Sequence, residues 1–203
     1  MSERPASMDA LQALTTRTSP QALVAPAPDA ATLERLFQAA IRAPDHGRLR
    51  PWRFMIIEGA AREALGDMLA AALRRREPDV PEAALVKERA KPLRAPLIVV
   101  VAARVREHRG VPEVEQVVAA GAAAQNLLLA AHALGFGGFW RTGAAAYDDA
   151  VKRALGLSPQ DAIVGFVYLG TPSGAAASAV VSDVAPYVSY WTAPVSRLEE
   201  VDR

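Results

Sequence analysis

The chain has no cysteine among its 203 residues, which excludes disulfides, thiolate metal sites, iron–sulfur clusters and cysteine nucleophiles. Redox chemistry, if present, then requires a bound cofactor. Histidine is scarce as well: His46, His108 and His132 are too scattered to form a metal-binding pair one helical turn apart. Charge of one sign is also lacking. With 23 basic and 22 acidic residues the formal net charge is +1, which offers no electrostatic footprint for nucleic acid or an anionic membrane. Any anion must be held by a local cluster. There is no GxSxG elbow, no GxxxxGKS/T phosphate loop and no CxxC pair. The opening MSERPASMDA lacks the basic-then-apolar run of a secretory signal, and every long apolar stretch is interrupted by Arg, His, Gln or Glu. The expectation is a cytoplasmic protein with neither a membrane nor a nucleic-acid partner.

What is present is a 51% hydrophobic chain, enough for a substantial core in one domain or in two interlocked copies. Residues 1–7 read as a flexible leader. Met8, Leu11 and Leu14 then recur at helical spacing until the polar turn Thr15 to Pro20. Asp29 caps a second helix whose apolar face is Leu33, Leu36, Phe37, Ala40 and Ile41, with Arg42 in its last turn and a stop before Pro44. A strand is expected over 53–58 and a helix through Ala61, Leu65, Met68, Leu69, Ala72 and Leu73. Residues 74–94, charged and punctuated by Pro, read as a mobile connection with some helix. APLIVVVAARV (95–105) has the continuous β-branched character of a strand covered on both faces.

Residues 113–134 give the longest helical pattern, so rich in Ala and Leu that most of its faces must be covered. Its small residues Ala119 to Ala124 fit the centre of a monomer and equally a close helix–helix approach across a dimer. A turn and strand (135–143), a short helix (147–155) and a buried strand (162–170) follow. The stretch to Trp191 is aperiodic, but Tyr187, Tyr190 and Trp191 are not the composition of polar disorder, so it should pack on something, such as a partner subunit. One α+β domain over 8–191, with a tail at 192–203, is the resulting organisation.

Three stretches carry candidate chemistry. Arg17, Thr18 and Ser19 place a guanidinium and two hydroxyls in one turn, which suits a phosphate and also describes a solvated helix end. Arg42, His46, Arg48, Arg50 and Arg53 lie within twelve residues beside Trp52, an arrangement suited to a planar anion. In GFGGFWRTG (135–143), glycines allow close backbone approach and Trp140, Arg141 and Thr142 offer a ring, a cation and a hydroxyl. Its order, helix then strand, is the reverse of a dinucleotide fingerprint, and Gly135 also serves simply to end the long helix.

Taken in order, MDALQALTTRTS (8–19), IRAPDHGRLRPWRFMIIEG (41–59), GFGGFWRTG and IVGFVYLGTP resemble the nitroreductase superfamily, in its short bacterial YdjA-like branch, from residue 8 to about 191. The resemblance implies an α+β fold with an antiparallel-dominated sheet flanked by helices, an intertwined homodimer, and two FMN molecules each held by both chains. It assigns Arg17, Thr18 and Ser19 to the FMN phosphate and ribityl chain, although Thr18 stands where the family carries a second Arg. Arg42 and His46 would reach the flavin of the partner subunit, and Trp140, Arg141 and Thr142 match the family's Trp-Arg-Ser, with Arg141 as a further phosphate cation. Arg50 replaces a frequent Gln before Pro51 and Trp52, altering the charge of the substrate pocket. The implied reaction is ping-pong: NADH or NADPH delivers hydride to flavin N5, and a small nitroaromatic or quinone-like acceptor takes the electrons. No catalytic side chain is required, because the flavin carries the chemistry. Enone reduction, dehydrogenation, flavin breakdown or a non-catalytic FMN-binding module are the alternatives on the same scaffold.

Overall fold

The computed structural model describes residues 8–174 and 183–191, so the expected leader (1–7) and tail (192–203) lie outside the described residues. The elements follow the order α1 (Ala10–Thr16), β1 (Leu23–Val24), α2 (Ala30–Ala40), β2 (Trp52–Glu58), α3 (Ala61–Arg76), α4 (Glu82–Ala90), β3 (Leu97–Ala103), α5 (Glu113–Ala133), β4 (Gly137–Arg141), α6 (Asp149–Ala154) and β5 (Ala162–Pro172). Every strand pairing is antiparallel. β5 is the organising strand: it pairs with β3, with β4 and, at its C-terminal end, with the two-residue β1, while β2 pairs with the other side of β3.

β3 explains why the sheet is buried on both sides. Its alternation sends Leu97, Val99, Val101 and Ala103 into one core with α2 and α5, and Ile98, Val100 and Ala102 into a second core against α3. All seven of its residues are buried, as the unbroken apolar run requires. The expected cap holds: Asp29 accepts from the Thr32 N–H at 2.8 Å at the start of α2, and the structure adds a second at the start of α1, where Asp9 accepts from the Gln12 N–H at 2.8 Å.

α5 runs through the first core and packs against α2, β3, β4 and β5. Ala119, Ala120, Ala123 and Ala124 all face into this core, so within the chain the small residues serve the approach of α5 to α2 and the sheet. By length and apolar content α5 is long enough to cross a membrane, at a mean hydropathy of 1.2, yet here it is the core helix of the sheet. A second stripe of α5 is left uncovered: Val114 and Val118 are each 64% exposed, and Gly121, Gln125 and Leu129 behind them are half-buried.

One expectation changes. Residues 74–94 are not a loose connection: α3 extends to Arg76, α4 follows, and a 3-10 turn spans Lys91–Arg94. The charges mislead because they solvate the outer faces, while Leu85 is buried and Gly66 lets the backbone of α4 at Arg89 approach α3 directly. The described part of the aromatic tail, 183–191, is exposed along its whole length among the described residues, Tyr187, Tyr190 and Trp191 included.

Candidate functional site

Arg17 emerges where α1 ends, its N–H bonded to the carbonyl of Ala13 at 3.2 Å. The half-buried guanidinium donates to the Thr18 carbonyl at 2.8 Å and to Ser19 Oγ at 3.1 Å, so the three residues form one pre-set group. No carboxylate pairs with Arg17 among the described residues. Beside it lies His132, in the last turn of α5, hydrogen bonded through Nε2 to Thr16 Oγ1 at 2.9 Å. Burial, and then the positive charge of Arg17, hold the His132 imidazole below its ordinary pKa, favouring the neutral ring. His132 carried no local signal as a site residue, because its partners come from a helix more than a hundred positions away.

His46 sits at the other end of α5, while Arg42 follows the end of α2, its N–H on the Ala39 carbonyl that Asn126 of α5 also reaches at 3.2 Å. Both are exposed after the end of α2, and His46 Nδ1 meets Glu115 Oε2, in the first turn of α5, at 2.5 Å. Glu115 fixes the ring and leaves Nε2 outward, a role invisible in sequence because 69 positions separate the two. The loop that carries His46 is held in an unusual backbone. Gly47, Arg48 and Arg50 have φ of 69°, 53° and 49°, in the left-handed region that L side chains seldom occupy. The Asp45 carboxylate accepts the Arg50 N–H at 2.7 Å, and a Cβ on Gly47 would press on Val111. Glu115 and His132 are 17 residues apart on one helix, so His46 and the Arg17–Ser19 group are separated by about 26 Å along its axis.

β4 carries the third group and divides it between two faces. Trp140 lies on the α5 side, where its Nε1 donates to the Val164 carbonyl at 3.1 Å and the indole fills the space opened by Gly165; a Cβ at Gly165 would collide with the ring. Arg141 lies on the opposite side, its guanidinium carbon 4.4 Å from the centroid of Phe139 and 6.0 Å from that of Tyr168. Burial pushes the Tyr168 phenol above its ordinary pKa despite the nearby Arg141. Thr142 joins Arg141 in lining a concavity of about 480 Å³ between α3 and the sheet. Among the described strands β4 pairs only with β5, so its outer edge is open. The structure therefore joins Arg17, Thr18 and Ser19 with His132, joins His46 with Glu115 but leaves Arg42 exposed and unjoined to them, and sends the Trp140 and Arg141 side chains in opposite directions. No group of three or more metal-binding side chains occurs among the described residues.

Against this geometry, the sequence profile described as Nitroreductase family matches residues 14–171. The chain is 42% identical over 185 residues to a protein of Escherichia coli K12 named as NAD(P)H nitroreductase YdjA, covering 91% of this chain and all of that one. Among solved structures, a nitroreductase-like protein from Bacillus cereus superposes with a TM-score of 0.75 at 21% identity, over 95% of this chain and all of the other. A protein of Desulfovibrio desulfuricans described as a nitroreductase in complex with FMN is 26% identical with a TM-score of 0.68, again over 95% of this chain and all of that one. Length of match, order of motifs and fold agree: the chain belongs to the nitroreductase family.

Proposed function

We propose that this chain is an FMN-dependent NAD(P)H oxidoreductase that works as a homodimer and reduces small, flat, electron-poor acceptors such as nitroaromatics or quinones. The observation that carries the reading is the Arg17–Thr18–Ser19 group. A half-buried guanidinium without a carboxylate partner among the described residues, already fixed against two hydroxyl-bearing residues, is the donor set a phosphate monoester requires. The residues present thus fit FMN.

Arg17, Thr18 and Ser19 would hold its phosphate, and the open edge of β4 at Trp140, Arg141 and Thr142 would face the hydrogen-bonding rim of the ring. When bound, FMN accepts a hydride from NADH or NADPH and supplies two electrons to the acceptor, chemistry that no side chain here provides. The chain's part is to bind, orient and polarise. The Trp140 indole, locked over Gly165, keeps the end of β4 rigid, and the Arg17 charge offsets the phosphate. His46, oriented by Glu115, offers an outward ring nitrogen as a hydrogen-bonding group.

The dimer reading rests on two observations. His46 lies at the far end of α5 from Arg17, so two chains whose α5 helices pack antiparallel would bring the His46 loop of one beside the Arg17–Ser19 group of the other. The uncovered stripe of Val114 and Val118 is the surface on which they would meet. Ala123, fully buried in the chain's own core, is not part of that surface. Light scattering on Val118→Arg tests this directly: a monomer with lost FMN is expected, and an FMN-replete dimer would contradict the placement. Anaerobic turnover with a nitroaromatic and with a quinone, each with NADH and NADPH, tests the activity; the absence of turnover with every pair would overturn it.

A further inference from the structure

The end of the sheet where β2 begins and β3 finishes holds a second charged site. A concavity of about 390 Å³ there, of small-molecule size, is lined by Arg50, Arg53, Arg104 and Arg106. Four guanidinium groups around one hollow repel one another, and no carboxylate pairs with any of them among the described residues. The lone acidic group in the lining, Asp161, is buried and engaged elsewhere, its two oxygens accepting from the N–H groups of Val105 and Ser158 at 2.9 and 2.8 Å.

The segment bearing these arginines is built to stay in place. The N–H of Arg104 is held by the Pro51 carbonyl at 2.8 Å. The backbone of Arg106 is held from both sides by Gln116, whose Oε1 accepts at 3.1 Å and whose Nε2 donates at 2.8 Å. Gln116 and Asp161 are the two buried polar residues among those described, and both serve this segment. Arg53 is fastened to the carbonyls of Arg50 and Trp52 at 3.0 and 2.7 Å, and Arg106 to that of Leu49. Arg50 itself stands in left-handed backbone held by Asp45. All four arginines are exposed, but the guanidinium groups of Arg53 and Arg106 are tethered to backbone carbonyls, none of the four has a carboxylate partner among the described residues, and Arg50 stands in left-handed backbone, a combination that suits an anionic ligand.

We propose that this hollow binds a phosphate ester. None of its residues belongs to the set assigned to FMN. The phosphate belongs either to the 2′-position of NADPH, a source that rests on the oxidoreductase reading above, or to a separate phosphorylated molecule.

The test is calorimetric titration of the FMN-loaded protein with inorganic pyrophosphate at low salt, for the native chain, for Arg104→Gln with Arg106→Gln, and for the charge-keeping Arg104→Lys. Native binding that weakens with salt, falls about tenfold or more in the double variant and is largely kept by Arg104→Lys is the expected result. Equal FMN content in all three confirms that the variants are folded. No pyrophosphate binding by the native chain, or equal binding by the double variant, overturns the proposal. Two supporting outcomes separate the sources. If the double variant also loses a preference for NADPH over NADH, the phosphate is the nicotinamide's; if the preference is unchanged, the ligand is a separate phosphate ester. A chain that binds pyrophosphate but no FMN would refute the proposed function and leave this site standing.

Discussion

Arg17 and Arg141 look alike in sequence, each a lone cation beside hydroxyl residues, but the fold gives them different work. Arg17 ends a helix, where its guanidinium turns back on Thr18 and Ser19 and pairs with no acid among the described residues. Arg141 sits one position after Trp140 on a strand, so the period of two sends it to the other face, over Phe139 and Tyr168. The first is held against hydroxyl-bearing neighbours in a turn and the second lies over aromatic rings, while neither has a carboxylate partner among the described residues. A cation next to a hydroxyl in sequence is thus only half of a phosphate site, and the element that carries it decides the other half.

The largest test of this contrast is Arg17→Ala. Removing a charge-assisted phosphate contact is expected to weaken FMN binding by about 1.5–3 kcal/mol, roughly tenfold to more than a hundredfold, by fluorescence titration. Unchanged affinity would remove Arg17 from the phosphate. Next comes Gly165→Ala, which drives a methyl into the Trp140 ring and should cost about 1–3 kcal/mol of stability as overpacking. Thermal melting and the tryptophan emission spectrum report it, and an unmoved melting point would mean the ring is free to shift.

Arg141→Ala should cost less, about 0.5–1 kcal/mol of stability from the lost cation–π contact, with FMN affinity nearly unchanged. If it weakens FMN as much as Arg17→Ala does, the two arginines share the phosphate and the contrast fails. The smallest effect concerns His132. Its folded-state pKa is depressed, so its contribution to stability is intact above about 6.5, the unfolded value, and is lost as pH falls through the folded pKa. A phosphate beside Arg17 offsets the charge that helps depress it, so FMN should raise the His132 pKa in a proton NMR titration. A value indifferent to FMN would place the phosphate elsewhere.

Much of the fold was legible because its signals are local. The Asp29 cap, the β-branched run of β3 and the Ala-rich length of α5 each fix an element without reference to the rest. Residues 74–94 misled because surface charge on α3 and α4 hid the few positions, Gly66 and Leu85 among them, through which these helices pack. The site was legible as three motifs but not as an arrangement. That Glu115 orients His46, that His132 attends Arg17, and that Arg104 and Arg106 join Arg50 and Arg53 are all consequences of long-range packing. Local spacing says nothing of contacts across 69 or 116 positions.

The most direct measurement is the visible absorption spectrum of the purified protein, before and after anaerobic addition of NADPH and then NADH. The expected result is a yellow protein with a flavin spectrum that bleaches with at least one nicotinamide. A colourless protein that neither binds added FMN nor oxidises either nicotinamide in its presence would contradict the account, leaving a nitroreductase fold without its chemistry.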